Sequence, residues 1–370
     1  MKIVVDENIP FAQQILSQHG KVVPVDGRTI RAEQLLDADA LLVRSVTQVN
    51  RALLAQAQHL KFVGTATIGT EHVDQCYLAQ QGIAFASAPG CNAVAVGEYV
   101  ITALLAAADF RQQPLQGQTI AIVGAGNTGS QVAKCAAAVG MQVLLYDPPL
   151  ADLGQLSHSV SFEQVLAADI ISLHVPSTKT GEYPSYHLFN QTVLSQLQPR
   201  QILVNACRGE VIDNQALLAL AEQQLAPLLI LDVWEGEPAV LTPLVKHAFI
   251  ATPHIAGYSL EGKMRGTSMV YQAMCQALGL KVNDISDQLL PLAEFNEIRV
   301  AALSGEAQLT KLSQLVYDIF ADDRRFRSHG LSPEGFDQLR KHYPQRREFS
   351  VLRVVNQEKQ AELAQLGFNR

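Results

Sequence analysis

Three short segments carry the side chains best suited to chemistry, and each follows an apolar run. Asn205–Ala206–Cys207–Arg208–Gly209 follows Ile202–Asn205. Asp232–Val233–Trp234–Glu235–Gly236–Glu237–Pro238 follows Leu228–Leu231. Thr252–Pro253–His254–Ile255–Ala256–Gly257–Tyr258 follows Phe249–Ala251. An unperturbed imidazole has its pKa near neutrality, so a histidine such as His254 suits a base that takes a hydroxyl proton. Glu237 can orient that ring and stabilise its imidazolium. Arg208 offers a fixed fork to a carboxylate. Together they suit oxidation of an alcohol next to a carboxylate. Singly, each has a plainer reading: a structural histidine, a solvated loop acid, an arginine paired with Asp213. Three complementary groups ending three strands of one sheet favour the chemical reading.

Such a reaction needs an acceptor for the hydride. The stretch Thr119–Val123 runs into Gly124–Ala125–Gly126–Asn127–Thr128–Gly129, and a helical pattern follows to about Val139. Gly124 suits the tight turn, Gly126 lets a pyrophosphate approach the backbone, and Gly129 lets the helix lie close on the strand. The first helical turn, opened by Asn127 and Thr128, offers N–H groups to phosphate. The next strand, Gln142–Tyr146, ends at Asp147, where an acid can hold both ribose hydroxyls of NAD. A 2′-phosphate there meets like charge, so the expected cofactor is NAD rather than NADP.

These sites need a scaffold. Strand patterns at Lys2–Val5, Val22–Val25, Ala40–Val43, Phe62–Gly64 and Ile83–Ala86 alternate with helices, including one capped by Asn50 that runs through Ala57. This predicts a parallel sheet with crossovers. Its functional ends are the loops Arg44–Thr47 and Thr65–Thr70, the second small and polar as a backbone anion nest requires. Pro89–Asn92 breaks the pattern, and a long helix runs from about Val94 to Ala108. Six further strands follow in doubly wound order. Ser161 with Gln164 reads as a capping box and Asp213 as a helix cap. After Ser259 a long helix returns to the first domain, leaving a cleft between two domains. The tail holds amphipathic helices (Gln308–Phe320, Pro333–His342), a charged run (Asp318–Arg327) and one strand (Phe349–Val355). The expected fold class is α/β, with two Rossmann-like or flavodoxin-like parallel-sheet domains and a small C-terminal α+β domain.

Composition narrows the partners. At 370 residues, 48% hydrophobic and 17% charged, the chain can bury two or three cores. A net charge of −7 argues against nucleic acid. The longest apolar stretch, Ala93 to Ala108, contains Glu98 and is too short and polar to suit a bilayer. Five scattered cysteines, with no metal-ligand spacing and no secretory signal, indicate reduced thiols, a cytoplasmic location and no bound metal.

The set GAGNTG, Asp147, NACRG, DVWEGEP and TPHIAGY resembles the D-isomer-specific 2-hydroxyacid dehydrogenases. The resemblance implies Arg208, Glu237 and His254 as the catalytic set. It places Asp232 and Gly257 near the nicotinamide and Ala206, Cys207 and Arg208 along the cofactor. The segments VDENIP, VRSVTQVN, VGTATIGTEHVD, APGCNAVAVGEYV and HIAGYSLEGKMRGT resemble one branch of that family. That branch implies a phosphorylated hydroxy acid as substrate, contacts from Ser45, Thr67 and Tyr258, and a homodimer built on the C-terminal domain. The domains expected are 1–93 completed by 259–285 for substrate, 94–258 for NAD, and 286–370 for dimerisation. The substrate phosphate is expected in the first domain, helped by Arg44 or by Arg346–Arg347 of a partner subunit. Arg44 has the alternative of pairing with a nearby carboxylate. Two rival functions are a relative acting on an acid such as 3-phosphoglycerate and a binding protein that senses NAD.

Overall fold

The computed structural model describes residues 1–283, 285–300, 305–355 and 360–369. By its internal contacts the chain forms two compact units: Met1–Asn92 with Ser259–Leu292, and Ala93–Tyr258 with Ala293–Arg370.

The first unit holds five strands: β1 (Lys2–Asp6), β2 (Lys21–Val25), β3 (Ala40–Val43), β4 (Phe62–Thr65) and β5 (Ala84–Ala86). They are parallel in the order β2-β1-β3-β4-β5. β3 and β4 are buried throughout, as strands covered on both faces must be. Alternation divides β1 between two cores: Ile3 and Val5 enter one, Val4 the other. The helix Leu260–Leu278, capped by Ser259, packs on the first of these through Met264, Val270, Tyr271 and Met274. Asn50 does cap the following N–H of Leu53 at 3.1 Å, but residues 51–56 form turns rather than the expected helix.

The second unit holds β6 (Thr119–Val123), β7 (Gln142–Tyr146), β8 (Ile170–Leu173), β9 (Ile202–Asn205), β10 (Leu228–Leu231) and β11 (Ile250–Ala251). The order is β11-β10-β9-β8-β6-β7, all parallel. Val123 lies opposite both Tyr146 and Leu173; Leu173 opposite Asn205; Asn205 opposite Leu231; Leu231 opposite Ala251. The strands therefore end in one row, and Gly124, Asp147, His174, Ala206, Asp232 and Thr252 begin the loops along that edge. The capping box at Ser161 and the Asp213 cap are both present.

The helix Ala93–Arg111 is long and apolar enough to cross a membrane by length and composition, yet 83% of its most apolar window is buried inside the protein. It packs on the helix Asn127–Ala138, and Leu312 from the tail joins the same core.

In the tail, the expected helix Gln308–Phe320 is two: Glu306–Val316, then Ile319–His329 capped by Asp318. The charged run is thus a helix that buries Ile319 and Phe326. The expected strand shrinks to β13 (Arg353–Val355), parallel to β12 (Glu297–Arg299), with a tight turn over Phe349–Val351.

Candidate active site

The loop after β11 is shaped by a buried carboxylate. Asp232 is 1% exposed. Its Oδ1 accepts from the Ile255 N–H at 2.8 Å and the Thr252 hydroxyl at 2.6 Å; its Oδ2 accepts from the Ala256 N–H at 2.9 Å. Since Thr252 donates its proton to Asp232, the Tyr99 hydroxyl must donate to Thr252, at 2.7 Å. The core helix Ala93–Arg111 thereby anchors the loop. Within it His254 takes a left-handed conformation, φ 58°, and its N–H donates to the Asp232 carbonyl at 2.6 Å. The loop around Asp232 and Thr252 offsets the strain of that conformation.

His254 meets Glu237. Its Nδ1 lies 2.8 Å from Glu237 Oε2, and Glu237 Oε1 accepts from the Trp234 N–H at 2.8 Å. Trp234, 1% exposed, is fixed through Nε1 to the Thr252 carbonyl at 2.9 Å. With Nδ1–H donated to Glu237, the imidazole keeps Nε2 as an acceptor. This is the arrangement a general base requires.

The Arg208 loop leans on the same segment. A Cβ at Gly209 falls 2.0 Å from the Trp234 carbonyl carbon, so only glycine fits there. Arg208 donates from Nη1 to the Cys207 carbonyl at 2.8 Å, and its own carbonyl accepts from Asn205 Nδ2 at 3.0 Å. Cys207 is buried, with its thiol against Asn205 Oδ1 at 3.2 Å. Burial pushes its pKa up to about 11, so it is a packing group rather than a nucleophile. His187, Asp213 and Glu235 form the cluster of metal-ligand type among the described residues. Here both imidazole nitrogens face carboxylates, Nε2 at 2.6 Å from Glu235 and Nδ1 at 4.0 Å from Asp213.

The turn after β6 fits a dinucleotide. Gly124, φ 93°, lies against the His174 carbonyl, where a Cβ falls 2.5 Å away; at Gly129 a Cβ falls 1.8 Å from the Gly124 oxygen. At Gly126 a Cβ meets nothing within 4 Å, leaving open space beside the backbone. The helix Asn127–Ala138 has no side-chain cap and no acid in its first turn, so the N–H groups around Asn127 and Thr128 face outward to phosphate. Asp147 sits beside them. Its Oδ2 accepts from the Ala125 N–H at 2.8 Å and its Oδ1 from the Leu150 N–H at 3.1 Å. Each oxygen keeps a lone pair for a ribose hydroxyl. His174 hydrogen-bonds Ser172 through Nε2 at 2.8 Å, while its Nδ1 is buried without a partner among the described residues. Burial drives its pKa down to about 3, which keeps the ring neutral.

The first unit holds Ser45 and Thr67. Ser45 is exposed. Thr67 donates to the Gly69 carbonyl at 3.0 Å, so the Thr65 hydroxyl donates to Thr67 at 2.7 Å and His72 Nε2 donates to Thr65 at 3.0 Å. Arg44 faces the buried carboxylate of Asp6, Nε to Oδ2 at 3.3 Å, the alternative its sequence left open. Arg346 corrects an expectation outright. It is 5% exposed, donates to the carbonyls of Ala256 (2.8 Å) and Ala95 (2.7 Å), and lies 3.8 Å over the Tyr317 ring. It is a core anchor and cannot extend to a partner's substrate.

Sequence reading missed the tail's contact with the loop that follows β11. Arg340, in the helix Pro333–Lys341, lies 5.6 Å from the Tyr258 ring centroid, and Tyr343 meets the same ring edge-on at 5.7 Å. The only signal was a basic residue in a last helical turn, which serves equally to complement the helix dipole.

Residues 94–256 match the family model for the D-isomer specific 2-hydroxyacid dehydrogenase, NAD binding domain; residues 289–367 match a domain of unknown function (DUF3410). The chain is 52% identical over 370 residues to an erythronate-4-phosphate dehydrogenase of Tolumonas auensis, covering 100% of this chain and 99% of that one. It is 50% identical over 370 residues to one from Psychromonas ingrahamii, covering 100% and 97%. The solved structure of an NAD+-bound 3-phosphoglycerate dehydrogenase from Entamoeba histolytica is 24% identical, covers 77% of this chain and 99% of its own, and has a TM-score of 0.63, a likeness of fold.

Proposed function

Because this chain belongs to the erythronate-4-phosphate dehydrogenases of the D-isomer-specific 2-hydroxyacid dehydrogenase family, we propose that it oxidises 4-phospho-D-erythronate to (R)-3-hydroxy-2-oxo-4-phosphooxybutanoate in the synthesis of pyridoxal 5′-phosphate. The observation that carries this reading is the 2.8 Å pair of His254 and Glu237, held at the end of β11 in an NAD-binding domain. His254 Nε2 takes the proton of the C2 hydroxyl as the C2–H bond breaks. Glu237 stabilises the imidazolium that forms and fixes its orientation. Arg208 holds the carboxylate and polarises the reacting oxygen. NAD+, when bound, supplies the two-electron acceptor. Gly124, Gly126, Asn127, Thr128 and Asp147 hold its pyrophosphate and ribose, while Ala206, Cys207, Asp232 and Gly257 border it. Asp232 acts chiefly by shaping the His254 loop, since three hydrogen bonds occupy its carboxylate.

Ser45, Thr67 and Tyr258 contact substrate in this reading. Thr67 must redirect its proton from the Gly69 carbonyl to serve as a donor. The division into a substrate domain (1–93 with 259–285), an NAD domain (94–258) and a dimerisation domain (286–370) belongs to the same proposal, as does a cytoplasmic homodimer. Five free cysteines, one of them exposed, support a reducing compartment. The test is NADH formation with a panel of 2-hydroxy acids that includes 4-phospho-D-erythronate and 3-phosphoglycerate. The reading requires 4-phospho-D-erythronate to be much the best substrate. Preference for 3-phosphoglycerate, or no turnover of any acid, defeats it.

A further inference from the structure

Two ties bracket the loop that carries His254, and both run to the helix Ala93–Arg111. On the entry side the Tyr99 hydroxyl meets the Thr252 hydroxyl at 2.7 Å. On the exit side a residue of the tail makes the connection, from within the region matched by a domain of unknown function. Arg346 donates from Nη1 to the Ala256 carbonyl at 2.8 Å and from Nη2 to the Ala95 carbonyl at 2.7 Å. Neither bond stays in the tail. The side chain is buried, with its guanidinium 3.8 Å from the Tyr317 ring centroid. A second tail arginine offers a contrast. Arg327 also binds two carbonyls, those of Val245 and Ala248, but at the C-terminal end of the helix Thr242–His247.

A guanidinium is planar, so its two terminal nitrogens keep a fixed separation. Bonded to one carbonyl on the helix and one on the loop, it sets the distance between them, which a single point donor cannot do. Ala256 is thereby held at both ends: its N–H goes to Asp232 Oδ2 at 2.9 Å and its carbonyl to Arg346. His254, two residues earlier, has φ 58°, a conformation that persists only where the surroundings over-determine it. Asp232 holds the two N–H groups that follow His254, and Arg346 holds the carbonyl beyond them. We propose that Arg346 is a positioning residue of the dehydrogenase site. By fixing the Ala256 carbonyl to the first turn of the helix Ala93–Arg111, it keeps His254 in the conformation in which Nδ1 meets Glu237 and Nε2 faces the reacting hydroxyl. This rests on the reading of His254 as the base, and it gives the tail a part in the chemistry without any contact with substrate.

The experiment uses the full-length chain: wild type, Arg346→Met, Arg346→Lys, Arg327→Met, Arg327→Lys, His254→Ala, and Arg346→Met combined with His254→Ala. Sites are counted by NADH titration. Rates on whichever acid of the panel the wild type oxidises best are expressed per site, well below each Tm. Arg346→Met should lower kcat per site about 10- to 100-fold, the effect of a small misplacement of a reacting group. The ratio kcat/KM should fall in step, because the base acts in the transition state and does not hold the acid. Arg346→Lys, with the charge but no fork, should recover only part. Arg327→Met should lose Tm and keep kcat per site. In the His254→Ala background Arg346→Met should cost nothing further, because it acts through the imidazole. A wild-type kcat per site in Arg346→Met, an equal loss in Arg327→Met, or a loss that persists when His254 is already absent overturns the role of Arg346 alone. Near-normal turnover in His254→Ala itself defeats the base, and this role with it. Should Arg346→Met fail to bind NADH, the lysine variants decide: a fall in kcat per site confined to Arg346→Lys supports the proposal, and any other pattern overturns it.

Discussion

The two parallel sheets of this protein share an order around their switch points, β2-β1-β3 in one and β7-β6-β8 in the other, yet the turns at those points differ in what they offer an anion. After β6 comes a glycine turn and an uncapped helix of 12 residues, and the acid that manages the site stands on the neighbouring strand. After β1 the acid is at the strand end itself. Asp6, 1% exposed, takes the Asn8 N–H at 2.8 Å and faces Arg44, and the helix that follows has only five residues. The same topology therefore makes a dinucleotide cradle in one unit and a closed turn in the other. Strand order supplies the place, and the residues of one turn decide its charge.

The largest effect should come from the second unit. His254→Ala should lower turnover by about 10²–10⁴-fold while NADH binding is kept, as measured by initial rates and fluorescence titration. Glu237→Gln should cost less, because the imidazole keeps a hydrogen-bond acceptor at Nδ1. Near-normal turnover in His254→Ala would remove the proposed base.

The glycine turn can be broken in two distinct ways. In Gly129→Ala the new methyl meets the Gly124 oxygen at 1.8 Å. Unfolding stability should fall by about 1–3 kcal/mol, the usual cost of overpacking, and NADH affinity should fall with it. Gly126→Ala has open space, so its Tm should be unchanged while NADH binds more weakly. If both variants behaved alike, the distinction between fold and cradle would fail.

Cofactor choice gives a smaller effect. Equal catalytic efficiency with NADP+ in the wild type would contradict the assignment of Asp147 to the ribose. In Asp147→Asn the preference for NAD+ should shrink, by up to roughly 1–4 kcal/mol if one close charge pair is removed. Absolute affinity should also drop, because Asp147 holds the Ala125 N–H.

Acid stability reports on His174. Its folded pKa, about 3, is below the ordinary 6.5 because burial disfavours the charged ring. Below pH 6.5 the unfolded chain binds a proton that the folded one does not. Stability should therefore fall progressively from pH 6.5 toward 3 and be unaffected by this group above that window. His174→Gln should flatten the decline in denaturant titrations; an identical slope would assign the acid loss elsewhere.

The smallest change belongs to the first unit. Asp6→Asn should leave NADH affinity untouched and reduce stability by about 1 kcal/mol or less, because half of its pair is partly solvated. A loss of NADH binding would show that the two sheets do not divide their tasks.

The chemistry of the second unit was legible because it is local. Fixed spacings link Gly124 to Gly129, the strand end to Asp147, and Thr252 to His254. The role of Asp232 was less legible, since a carboxylate that shapes a loop has the same letter as one that binds a ligand. The tail was the least legible. Arg340 and Arg346 lie six residues apart, both basic. One is directed at Tyr258 and the other is sunk among Tyr317 and two carbonyls. Only tertiary packing separates them. The turns of residues 51–56 likewise kept Asn50's cap and lost the helix, because a single cap does not outweigh the cost of nucleating one.

The helix Ile319–His329 also bears on how the protein tolerates cutting. β11 is a two-residue edge strand. Asp323 Oδ1 takes the Ala251 N–H at 2.8 Å, while Arg327 binds the carbonyls of Val245 at 2.6 Å and Ala248 at 2.8 Å. Asp323 thus occupies an edge N–H that a neighbouring strand could otherwise pair with, Arg327 satisfies carbonyls at the end of the preceding helix Thr242–His247, and both place charge along the rim. Removing the tail from about Leu289 would bare that rim as well as any subunit contact. Aggregation of such a truncated protein would report the bared edge and the bared core around Leu312 and Phe326; a well-dispersed monomer would support the dimerisation role of the tail, and a well-dispersed dimer would overturn it.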